Sequence, residues 1–154
     1  MFQPLSLITP VLILLPNLMF FKFPPQNMPS EQNKKWIFTA AEGIGRVGVI
    51  LFPLFLSIHI QTTYEIISLL VMLLSLMMYY VGWIRYFRND RQYKLLFAPL
   101  WGIPVPLAIF PSLYFLFAAV LTHSYGLFIF SVILAIGHIP NSLTDYNRNR
   151  SLKL

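Results

Sequence analysis

Hydrophobic residues fall into five long runs separated by short polar segments, at about 5–21, 36–57, 66–84, 104–121 and 126–140. Each run approaches the roughly 20 residues a helix needs to cross the hydrocarbon core of a bilayer. The pattern therefore predicts an all-α integral membrane protein, a five-span transmembrane helical bundle forming one domain over 1–154. Five such spans use about 100 residues before any loop is counted, which leaves no room for a second domain.

Prolines and polar clusters refine the runs. The first has neither a positively charged start nor an A-x-A cleavage pattern, so it is read as a span and not as a secretory signal. Pro10 and Pro16 should bend it, and Pro24 and Pro25 should end it. The fourth run is irregular, because Pro99, Pro104, Pro106 and Pro111 are too many for one straight helix. Four spans plus a Pro-rich re-entrant segment around 95–106 is the alternative architecture. In the fifth run, the stretch GHIPNS around Pro140 reads either as a helix exit or as part of a polar face.

Charge orients the bundle. Of the 11 Lys and Arg residues, all but Arg46 fall on one side of this threading, after the first span, between the third and fourth, and after the fifth. Cytoplasmic loops collect Lys and Arg, so the N-terminus is expected outside a plasma membrane and the C-terminus in the cytoplasm. Trp36, Trp83 and Trp101 fall at the cytoplasmic ends, where amphipathic rings settle at headgroup level.

Composition removes several function classes. With 57% hydrophobic and 10% charged residues the chain has too little polar surface for a soluble globule. The net charge of +6 follows from topology and from attraction to the anionic lipids of the inner leaflet, so no nucleic-acid partner is expected. The basic and aromatic segment RYFRNDRQYK, 85–94, is read as a loop resting on headgroups. Zero cysteines exclude disulfides, thiolate metal sites and a cysteine nucleophile. No cofactor and no metal are expected: His138 lies at the opposite face from His59 and His123, which argues against haem held between helices, and there is no H-E-x-x-H. There is no G-x-S-x-G elbow either.

The chemistry that is left centres on TAAEGIGRVG, 39–48. Its GIGRVG matches G-x-G-x-x-G by letters only, because a dinucleotide fingerprint needs a strand and a soluble βαβ unit around it. Glu42 and Arg46 are four apart and share a helix face, beside a stripe of small residues, Ala41, Gly45 and Gly48, that admits a neighbouring helix. Arg46 lies ten residues beyond Trp36, about 15 Å into the membrane, where an ionised side chain must face protein or water. In the fifth span Ser131, Ala135, His138, Ser142 and Asp145 keep to one side, with Asn141 close by.

We therefore expect a cytoplasm-facing intramembrane pocket for an anionic or zwitterionic ligand, a lipid headgroup or a small metabolite, with transport as one use of it. Its residues are Glu42, Arg46, His138, Asn141, Arg85 and Tyr79. Three alternatives stand beside it. The charge pair could merely glue helices together. The chain could be a non-catalytic subunit or immunity-type protein that contacts a membrane-protein partner, or a second copy of itself, through the small-residue face. It could also be a lipid-modifying enzyme using His138 as acid or base, although no catalytic residue set is discernible.

Overall fold

The computed structural model describes residues 7–28, 34–58 and 60–151. His59, weighed above as a metal or haem ligand, lies outside the described residues. Among those described there are five α-helices and no strand: α1 (Ile8–Lys22), α2 (Trp36–Leu51), α3 (Thr63–Arg88), α4 (Pro106–Leu121) and α5 (Tyr125–Ser151). Three helices are long and apolar enough to cross a membrane, namely α2 with its 3-10 extension to Phe55, α3 and α5. This marks the chain as a membrane protein. At 15 and 16 residues, α1 and α4 are shorter, about 22 and 24 Å.

The helices alternate in direction, and cross-links between loops fix which ends lie together. Gln26 and Gln92 pair through their backbones, the Tyr86 hydroxyl donates to the Phe23 carbonyl, and Lys34 meets Asp145. These contacts gather residues 22–28 and 34–35 with the segments around 85–105 and 141–151 at one end, where the described Lys and Arg residues other than Arg46 lie. At the other end Gly126 lies against the Phe52 ring, and His123 meets Glu65. Helix α4 is the central element, between α3 and α5, with eleven of its sixteen residues buried.

Local chemistry explains why these helices persist through their polar and proline positions. Pro16 has no N–H for the Leu12 carbonyl four residues earlier. The Tyr80 hydroxyl donates to that carbonyl instead, at 2.8 Å, so the proline becomes a tie between α1 and α3. Tyr79 adds to it, donating to the Ile13 carbonyl and accepting from Asn17. Ser68, Ser112 and Ser131 each donate to the carbonyl four residues back in their own helix, which satisfies a hydroxyl where water is scarce.

Of the two readings of GHIPNS, the helical polar face holds and the exit does not: α5 continues past Pro140 through Ser151, since a proline removes one backbone bond and the turns on either side carry the helix past it. Residues 141–151 are therefore helix and not a loop. Trp83 is not an interfacial ring: it is buried, edge-on to Phe20, Tyr79 and Tyr86 and stacked on Phe87, whereas Trp36 and Trp101 are exposed.

The Pro-rich segment before α4 forms a 3-10 turn, Tyr93–Leu96, and then a tight turn in which Leu100 and Ile103 exchange backbone hydrogen bonds. Trp101 and Gly102 at its centre both have positive φ, 50° and 83°, as a two-residue type I′ connection requires.

Candidate functional site

The site begins with the close approach of α2 and α5. Gly45 and Gly48 face α5, where any side chain would collide with Leu134 and Phe130, and Gly137 of α5 lies against the backbone of Glu42 and Phe38. Small residues on both helices allow this contact, and Ala41 borders it half-buried. The small-residue face of α2 is thus occupied within the chain. Gly137 precedes His138, so the contact that excludes a Cβ also sets the imidazole and, one turn on, Asn141 beside the Glu42 carboxylate.

Glu42 is the hub. Its Oε1 accepts from Arg46 Nη2 at 2.5 Å and from His138 Nδ1 at 2.9 Å, and its Oε2 accepts from Asn141 Nδ2 at 2.7 Å. Three donors from two helices make the carboxylate well satisfied although its side chain is only 15% exposed. Arg46 is the opposite case. Its side chain is 52% exposed, and among the described residues Glu42 is its one hydrogen-bond partner. It also borders the space beside α2.

That space is a cavity of about 400 Å³ between α1, α2, α3 and α5 and the start of α4, partly open to the outside. Glu42, Arg46, His138, Asn141 and Tyr79 line it, as do Lys34, Asn17, Ser142 and Tyr93, which were not among the expected site residues, although Ser142 was placed on the α5 face. Lys34 Nζ stands 3.2 Å from the buried Asp145 carboxylate, an ion pair that seats the approach to α2 on the last turns of α5. Burial, aided by the negative charge of Asp145, pushes the Tyr93 phenol up to about 12, so it remains a neutral donor at physiological pH.

Arg85 is not part of this group, and its expected place there is corrected. Its two terminal nitrogens donate to the carbonyls of Pro99, Leu95 and Ala98 and so fasten that segment to the end of α3, while its Nε is buried without a hydrogen-bond partner among the described residues. Its proximity in the charge pattern did not reveal that neighbouring carbonyls would claim it.

A second polar cluster, at the far end of the bundle, escaped the sequence reading. Glu65 is buried and accepts from the backbone N–H of Gln61 and Thr62 at 2.6 and 2.7 Å, with His123 Nε2 at 2.6 Å from its other oxygen. Thr62 and Glu65 form a capping box at the start of α3. The T-x-x-E spacing was the available signal.

Chemically, the main site offers an arginine fork for an anion, an imidazole oriented by a carboxylate, and neutral donors around them. Among the described residues no group of acids and histidines could hold a metal ion. In comparisons with known proteins the chain matches no family model, no curated protein and no solved structure.

Proposed function

We propose that this chain is a five-span plasma-membrane protein, N-terminus outside and C-terminus cytoplasmic, whose intramembrane pocket binds an anionic or zwitterionic ligand from the cytoplasmic side. One observation carries the reading: Arg46, deep in an apolar helix, is half-exposed, lines a cavity and has Glu42 as its one hydrogen-bond partner among the described residues. A planar guanidinium with free parallel donors suits a phosphate or carboxylate. Glu42 holds the arginine in place, and His138 and Asn141 hold Glu42. Movement of the ligand across or along the membrane would use the same pocket.

The gathering of the basic segments at one end of the bundle supports the orientation through the positive-inside rule. The two short helices are compatible with five spans. Helix α4 is shielded by its neighbours, and a short α1 can be met by bilayer thinning at modest cost. The packing of Gly45 and Gly48 against α5 favours the pocket over a partner contact through the same small-residue face.

The test is native mass spectrometry of protein purified from its own membranes. Bound anionic adducts should be present, and Arg46→Gln should lose them while the protein stays folded. Arg88→Gln in the basic loop should leave them in place. Loss with Arg88→Gln and retention with Arg46→Gln would put the binding on the membrane surface and make the intramembrane pair structural.

A further inference from the structure

The polar groups of the cavity are confined to its basic end, where they share the lining with Phe20, Phe21, Met28 and Phe97. Counting turns along α2 and the antiparallel α5, the polar groups occupy the stretch from Lys34 and Ser142 through Glu42, His138 and Asn141 to Arg46. Beyond Arg46 the lining turns to hydrocarbon and aromatic rings: Val49 and Ile50 from α2, Ile13 and Leu14 from α1, and Phe115 from α4. The donors nearest this half are already engaged, since the Asn17 amide donates to the Ile13 carbonyl and the Tyr79 hydroxyl, and Tyr79 donates to Ile13. Water there would find few partners, whereas a hydrocarbon chain would find many.

From this arrangement we infer that the ligand is an anionic amphiphile with one hydrocarbon chain, its head on Arg46 and its chain along Val49, Ile50 and Leu14. The inference rests on the proposed anion site and adds what the rest of the molecule must be. A volume of about 400 Å³ is toward the small end of ligand sites, enough for a head and one chain but not for two. Carboxylate and phosphate heads share the chemistry that Arg46 recognises, so fatty acids and single-chain phosphates are both admitted.

Trp83 lines the cavity and supplies a probe. The full chain with Trp36→Phe and Trp101→Phe is placed in phosphatidylcholine vesicles, and its emission is followed as brominated amphiphiles are added. A single-chain alkyl phosphate and a fatty acid should both quench Trp83 saturably, and a two-chain phosphatidic acid should do so poorly. Arg46→Gln should raise the amount needed by about tenfold, as loss of roughly one charge-assisted hydrogen bond requires. Narrowing the deep half with Leu14→Phe or, separately, Ile50→Phe should weaken quenching without removing competition by inorganic phosphate.

Arg46-dependent binding of inorganic phosphate with no quenching by either brominated chain would overturn the amphiphile and leave the anion site standing. Equal quenching by the two-chain lipid would overturn the single chain. Unsaturable quenching that ignores Arg46→Gln would overturn both this inference and the proposed anion site.

Discussion

Gly137 of α5 lies so close to Glu42 of α2 that a Cβ built on the glycine would stand 2.2 Å from the Glu42 amide nitrogen. The polar site depends on this contact, because the same turn of α5 presents His138 and Asn141 to the carboxylate. Gly137→Ala should therefore force the helices apart and destabilise the protein by about 2 kcal/mol, within the usual cost of overpacking. Gly43, one residue from Glu42, has nothing within 4 Å of its would-be Cβ. Gly43→Ala should be neutral or stabilising by about 0.5–1 kcal/mol through helix propensity alone. Thermal unfolding in detergent separates the two; equal effects would mean that the α2–α5 contact is looser than described.

The Glu42–Arg46 pair should be asymmetric. Glu42→Ala strands donors on His138, Asn141 and Arg46 and should cost about 3 kcal/mol, the scale of one or two charge-assisted hydrogen bonds. Arg46→Gln leaves the carboxylate with His138 and Asn141, and a half-exposed pair contributes at most about 1 kcal/mol. A double-mutant cycle should also give a larger coupling for Glu42 with Asn141 than for Glu42 with Arg46. The reverse order would mean that Arg46 is a structural strut and not a ligand-facing group.

At the far end of the bundle, Glu65→Ala should lower the melting temperature by several degrees, and His123→Ala by less. The carboxylate closes the N-terminus of α3 through two backbone N–H groups, whereas the imidazole meets it from a half-exposed ring. Equal shifts would show that the cross-link to His123 outweighs the cap.

Arg85→Lys should fail to replace arginine. One ammonium cannot span the carbonyls of Leu95, Ala98 and Pro99 as the planar fork does. Hydrogen exchange over 93–105 should rise several-fold in Arg85→Lys, with the bound adducts unchanged. Loss of the adducts would return Arg85 to the ligand site.

Orientation is open to thiol labelling, since the chain has no cysteine of its own. Single cysteines at Asn89 and Ser151 should be shielded from an impermeant reagent in intact cells, and one at Thr63 should react. Labelling of the first two with protection of the third would invert the proposed topology.

Much of the bundle was legible because membrane helices announce themselves by apolar runs, and the meeting of Glu42, Arg46, His138 and Asn141 followed from helix periodicity on two spans. Two features were not legible for physical reasons. The diversion of Arg85 depends on the 3-10 turn at Tyr93–Leu96 and the residues just after it, whose carbonyls at Leu95, Ala98 and Pro99 come within its reach. The Glu65–His123 link joins residues 58 apart and has no periodic signature.

The central claim is that Arg46 faces a ligand and not merely Glu42. Its most direct test is a structure of the full chain, extracted from its own membranes into lipid nanodiscs. The account predicts density that begins within hydrogen-bond distance of the Arg46 guanidinium and runs along Val49 and Ile50. A collapsed cavity, with Arg46 closed onto Glu42 and protein side chains packed where the ligand should lie, would contradict it.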